Sequence, residues 1–204
     1  KESWQANVEP DTKLVQFSSA AASWQPSIRS FNAMGMDLPG KDALALEKMV
    51  SDFRAKHGRA PKVCEVGSWA GRSAIIMAKA GASVHCVDTW EGSQNDDGCK
   101  QYDGADGSPF AVFLRNVRGM PITATKAKSP DAASQFEDGE FDIVYIDAEH
   151  DYESVKADIK AWKPKAKHVL AGHDYYSFKS VQQAVSDCGL QPVVNGNVWQ
   201  CPLI

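Results

Sequence analysis

Four residues in the second half of the chain could carry acid–base or metal chemistry. Asp147 closes the apolar run Phe141-Asp142-Ile143-Val144-Tyr145-Ile146, and His150 follows three residues later. His173-Asp174 closes another apolar run, His168 to Gly172. Carboxylates beside an imidazole suit a hard or borderline divalent cation, such as Mg2+. A cation on a hydroxyl oxygen lowers the pKa of that hydroxyl, and a nearby His can take the proton. The candidate metal ligands are therefore Asp147, His173 and Asp174, and the candidate catalytic residues are His150 and Asp147. A plainer reading competes. An Asp at a strand end often caps the next helix, as Glu149 or Asp151 could, and an isolated His is commonly a polar surface group.

A second constellation lies upstream. Glu65-Val66-Gly67-Ser68-Trp69-Ala70-Gly71 has glycines spaced for a tight turn in which backbone approaches a ligand. Asp88, followed by Thr89 and Trp90, comes after Gly67 at a spacing suited to a carboxylate on a ribose. The dinucleotide pattern G-x-G-x-x-G is broken, because Trp69 stands at its second glycine. A pyrophosphate is a poor fit. A sulfonium with an amino-acid tail is a better one, since Glu65 adds negative charge beside the turn.

These residues need a scaffold that brings strand ends together. Lys62–Val66, Ser83–Asp88, Ile122–Thr125, Phe141–Asp147 and His168–Gly172 read as short buried strands. Between them lie helical stretches: Arg72–Ala80, the face Tyr152, Val155, Ile159 and Trp162, and the face Phe178, Val181, Val185 and Cys188. An earlier helix starts at Lys41, with Leu46, Met49, Val50 and Phe53 on one face and Gly58 at its end. Asn195-Gly196 between Pro192–Val194 and Val198–Gln200 signals a terminal hairpin. The expected fold is α/β: a Rossmann-like, doubly wound, mostly parallel sheet with a C-terminal antiparallel hairpin strand. Residues 1–39 read as an N-terminal extension and 40–204 as the domain. The polar segment Glu91–Pro109 follows the second strand and reads as a candidate active-site lid, with a tolerated surface insertion as the alternative.

With those elements placed, the chain resembles the class I S-adenosylmethionine (SAM)-dependent methyltransferases. Glu65–Gly71 is similar to their first motif and Val84–Asp88 to their second. Tyr145-Ile146-Asp147-Ala148-Glu149-His150-Asp151-Tyr152-Glu153, then Asp158-Ile159, Trp162, Pro164 and His173-Asp174-Tyr175, resembles a branch of small-molecule O-methyltransferases of the macrocin and catechol type. The resemblance runs from Lys62 to Tyr176. It implies that Gly67, Ser68 and Gly71 line the methionine part of SAM, that Asp88 binds the ribose, and that Ser129 contacts the adenine. Trp69 and Trp90 would flank cofactor or substrate, or pack as partly buried aromatics. Asp147 and Asp174 match positions that hold magnesium, and His150 matches a proposed general base. His173 stands where the family usually carries an oxygen ligand, which leaves its role open.

Composition narrows the partners. The 204-residue chain has a net charge of −4 and 43% apolar residues, as in a globular domain with one core. No Lys/Arg cluster offers a footprint for nucleic acid, and no apolar run approaches the roughly 20 residues of a bilayer span. Asp147-Ala148-Glu149-His150 stands where DNA amino-methyltransferases carry Pro-Pro-aromatic. Cys64 and Cys86 sit in apolar runs as small hydrophobes, and the five cysteines lack disulfide or metal spacing, which fits a reducing cytoplasm. The expected acceptor is a small hydroxylated molecule, a sugar or a phenol, and a homo-oligomer stays open. Two alternatives remain: metal-independent transfer with His150 as base, and a nicotinamide-dependent oxidoreductase.

Overall fold

The computed structural model describes residues 14–15, 40–92 and 107–203. In chain order the elements are β1 (Leu14–Val15), α1 (Gly40–His57), β2 (Lys62–Val66), α2 (Arg72–Lys79), β3 (Ser83–Asp88), α3 (Pro109–Asn116) and β4 (Ile122–Lys126). They continue with α4 (Ser129–Ala133), β5 (Phe141–Ile146), α5 (Tyr152–Trp162), β6 (Ala166–Gly172), α6 (Lys179–Asp187), β7 (Val193–Asn195) and β8 (Val198–Pro202). The strands form one eight-stranded sheet in the order β1-β4-β3-β2-β5-β6-β8-β7. Strands β4, β3, β2, β5 and β6 are parallel. Antiparallel strands close both edges: β1 against β4, and the β7–β8 hairpin against β6.

The layers follow from the burial pattern. β5 is buried at every position, as a central parallel strand covered on both faces must be. Leu46, Val50, Ala74, Met77 and Phe113 from α1, α2 and α3 pack on Val63, Val84, Ile143 and Tyr145. On the other face Ala132, Val155, Ile159, Trp162, Val181 and Val185 from α4, α5 and α6 pack on Cys64, Val144 and Leu170. Each such aliphatic side chain contributes about 1.5–3 kcal/mol on burial.

The sheet departs from the sequence reading at particular places. A strand within residues 1–39 was not expected, yet Leu14–Val15 pairs with Ala124 and Thr125. α3 lies in a stretch without an assigned helix; Ser108 caps it by accepting from the Ala111 amide, and Pro109 occupies its first turn. α4 was likewise unassigned. Residues 93–106, the centre of the candidate lid, lie outside the described residues. Among the described residues no helix is long and apolar enough to cross a membrane.

The topology creates one crevice. From β2 the chain winds outward through β3 to β4, then returns to β5 on the other side of β2. Where the winding reverses, the helices diverge and the carboxyl ends of the strands open onto a cleft. Val66 pairs with Ile146, and Ile146 with Gly172, so the turns after β2, β5 and β6 emerge at one level.

Candidate active site

Gly67 is the first residue past β2. Its φ is +88°, and a Cβ there would meet the Asp147 carbonyl oxygen at 2.0 Å. The Asp147 amide donates to the Val66 carbonyl at 2.7 Å, so β2 and β5 stay in contact past their ends. The turn that follows is strained: Trp69 has φ +40° and Trp90 has φ +52°, a region disfavoured for large side chains.

Asp88 holds this strained turn together. Its Oδ2 accepts from the amides of Ser68 and Trp69, both at 2.8 Å, and its Oδ1 from the Trp90 amide at 2.6 Å. Burial pushes the Asp88 carboxyl up, against those amides, which stabilise its charge. The Trp90 indole donates to the Trp69 carbonyl at 2.7 Å, and Asn116 on α3 donates to the Ala70 carbonyl at 2.9 Å. Thr89 accepts from the Glu91 amide. The two tryptophans diverge in environment: Trp90 is buried against Phe110 and Phe113, while Trp69 is partly exposed.

Glu65 lies just beneath, fully buried on β2. Burial and the negative charge of Asp147 push its carboxyl up to about 7. One oxygen meets the Cys86 thiol at 3.5 Å, and the other, Oε1, is buried without a hydrogen-bond partner. An unmatched acceptor beside a glycine turn is suited to a ligand with a cationic amino-acid tail. Ser129, at the start of α4, is tied into the fold: its hydroxyl donates to Asp158 and accepts from the Trp162 indole at 2.8 Å.

The second cluster gathers past β5 and β6. His150 Nε2 is 2.9 Å from Asp174 Oδ2. His173 Nδ1 is 3.3 Å from the same Asp174 oxygen and 3.7 Å from Asp147 Oδ1. Asp174 has φ +57°, a strained position at the point where chain direction changes. Burial opposes ionisation of Asp174, but hydrogen bonds and charge from His150 and His173 hold it well below the usual carboxylate range. Burial alone would lower His173; Asp147, Asp174 and Asp42 instead push its imidazole up to about 10. The His150 ring stacks parallel on Phe178, centroids 4.4 Å apart.

Asp147, His173 and Asp174 each present a ligand atom, all within 4.8 Å of one another. A divalent cation bonded at roughly 2.1 Å sets neighbouring donors about 3 to 3.5 Å apart, so this set is of suitable chemistry and nearly of suitable size. The residues fit a cation.

Sequence reasoning did not find Asp42. It lies in the first turn of α1, buried, with Oδ2 3.1 Å from His173 Nε2 and Oδ1 accepting from the Asn197 amide at 2.7 Å. Its only local signal is an acid at a helix start, which the helix dipole explains without any site. Asp151 follows the plainer reading: it caps α5 by accepting from the Ser154 amide at 3.0 Å. His85 is a satisfied interior histidine between Thr123 and Thr125, and burial lowers it to about 4.

A doubly wound sheet with a glycine turn and an acidic strand end at its switch point defines a Rossmann-like nucleotide-cofactor fold. The sequence profile of the family described as "Methyltransferase domain" matches residues 64–175, and the chain belongs to that family, whose cofactor is SAM. It is a class I SAM-dependent methyltransferase. No curated protein matches the chain. Among solved structures it is similar to monomeric WbdD, at 11% identity and TM-score 0.59, over 86% of this chain and 44% of that one. The chain thus spans less than half the length of WbdD. A ribosomal protein L11 methylase from Lactobacillus delbrueckii subsp. bulgaricus aligns at 16% identity and TM-score 0.51, over 89% of each chain. CalS11, a TDP-rhamnose 3'-O-methyltransferase of calicheamicin biosynthesis, aligns at 12% identity and TM-score 0.51, over 87% of this chain and 86% of that one. At these identities the likeness is one of fold.

Proposed function

We propose that this protein is an O-methyltransferase that moves the SAM methyl group to a hydroxyl of a small molecule, a sugar or a phenol, with help from a divalent cation. The observation that carries the reading is the convergence of Asp147, His150, His173 and Asp174 beside the Gly67 turn. Methyl transfer is a direct displacement, so the protein's work is alignment and removal of the acceptor's proton. The Gly67–Gly71 turn, Glu65 and Asp88 hold the donor, with Thr89, Trp69, Trp90 and the Ser129 region around it. With Nε2 facing Asp174 Oδ2 at 2.9 Å, a neutral His150 protonated on Nε2 would carry its lone pair on Nδ1 and take up the hydroxyl proton there. Asp147, His173 and Asp174 would hold the cation, whose positive charge would make the acceptor hydroxyl easier to ionise. Support for a small hydroxylated acceptor comes from the similar fold of CalS11, a TDP-rhamnose 3'-O-methyltransferase. Free buried thiols at Cys64, Cys86 and Cys201 accord with a cytoplasmic setting.

A second reading is favoured by His173 itself. Its ring touches the carboxylates of Asp42, Asp147 and Asp174, so an imidazolium there can supply positive charge without a metal. Turnover of a panel of sugar and phenol acceptors, with and without chelator, separates the two. Loss on chelation with recovery on adding a cation supports the first; full activity in chelator leaves the second. Absence of SAM binding would sink both.

A further inference from the structure

His173 is held from both sides. Its Nε2 meets Asp42 on α1, and its Nδ1 faces Asp147 and Asp174. Asp42 is 2% exposed, and its other oxygen is occupied by the Asn197 amide in the β7–β8 turn. The turn packs closely: a Cβ on Gly196 would lie 2.0 Å from Asp42 Oδ1. The carboxylate therefore has little freedom to rotate, and neither has the ring it faces.

A carboxylate can only accept. Facing Nε2, it keeps the proton on that nitrogen, so Nδ1, the nitrogen toward Asp147 and Asp174, is the one that gives up its proton when a cation binds. A His ligand oriented this way by a carboxylate binds metal more firmly than an unsupported one. An imidazole beside two carboxylates also shifts preference from Mg2+ toward d-block cations, which tolerate nitrogen donors.

We propose that Asp42 is a positioning residue that fixes His173 with Nδ1 toward Asp147 and Asp174, and so makes this a site for a borderline divalent cation rather than for Mg2+. The proposal rests on the metal-assisted reading above. Asp42→Asn is the informative variant because it keeps the shape. Its amide oxygen retains the Asn197 hydrogen bond, and its NH2 then points at Nε2. The imidazole must present Nε2 as acceptor and carry its proton on Nδ1, aimed at the cluster.

The test is calorimetric titration of Co2+ and of Mg2+ into wild type, Asp42→Asn and His173→Asn, each saturated with S-adenosylhomocysteine. Histidine 15N NMR of the Co2+-free proteins reports which His173 nitrogen is protonated. In wild type, Co2+ should bind at least tenfold more tightly than Mg2+. In Asp42→Asn, Co2+ affinity should fall about 10- to 100-fold, with the Nε2 proton of the metal-free protein lost and the Nδ1 proton kept, and with unchanged affinity for S-adenosylhomocysteine. His173→Asn, which offers an amide oxygen instead, should reduce the Co2+/Mg2+ ratio at least tenfold even if the Asp42 variant does not fold. Unchanged Co2+ affinity in folded Asp42→Asn, or an unchanged ratio in His173→Asn, overturns the proposal alone. Failure of wild type to bind either cation overturns the metal-assisted reading and the proposal with it.

Discussion

Gly67 and Asp147 touch backbone to backbone across the switch point: a Cβ on Gly67 would sit 2.0 Å from the Asp147 carbonyl oxygen. The turn after β2 and the end of β5 are thus one mechanical unit. Gly67→Ala combines that clash with a positive φ, and should cost on the order of 2–4 kcal/mol. We expect a lower melting temperature and loss of S-adenosylhomocysteine binding by calorimetry. Wild-type affinity in this variant would show that the turn does not contact the donor.

Asp88 should matter to SAM binding in two ways, by shaping the turn and by touching the ribose. Its three amide hydrogen bonds to Ser68, Trp69 and Trp90 are charge-assisted, about 1.5–3 kcal/mol each. Asp88→Ala should therefore weaken SAM and S-adenosylhomocysteine alike and also lower stability. A variant that melts as wild type does, with unaltered affinity, would contradict both roles.

Asp147→Asn should abolish turnover while SAM still binds, because the proposed donor site belongs to β2 and β3. His150→Gln should lower kcat roughly 10²- to 10⁴-fold, the usual loss of a general base. Raising pH should partly restore this variant on a phenolic acceptor, whose hydroxyl then ionises unaided. A flat pH profile in the variant would assign the base elsewhere.

Asp158 offers a stability test away from the Asp147–His173–Asp174 cluster. Burial raises it to about 6, above the roughly 3.9 of an unfolded chain. Between those values the native state keeps a proton that the unfolded state has released, so stability falls as pH rises from 4 to 6. Above 6 the penalty is complete, up to roughly 3 kcal/mol. Asp158→Asn lacks this slope, so its stability relative to wild type should improve across that window. Urea denaturation at pH 4, 5, 6 and 7 reads it directly; parallel curves would refute the burial argument.

The strand alternation was legible because buried parallel strands write apolar runs, and because winding rules make β5 and β6 neighbours. That adjacency is enough to bring Asp147, His173 and Asp174 together. Asp42 was not legible, because its partners His173 and Asn197 lie 131 and 155 residues away. No periodicity encodes such a contact. The ties of Ser129 to Asp158 and Trp162 were hidden for the same reason. α3 did leave a signal, Ser108-Pro109 at its start, but it stands at the end of a run of Gly and Asp that reads as loop.

The Asp42–Asn197 contact also orders events during synthesis. The glycine turn, Asp88 and the parallel strands up to β6 can assemble before the final hairpin exists. His173 cannot be held by Asp42 in its final setting until residue 197 has left the ribosome and β8 has slid in beside β6. The hairpin thus closes the Asp42 side of the cluster, whereas Val87, Asp88 and Asp147, the partners of the Gly67 turn, are made well before it.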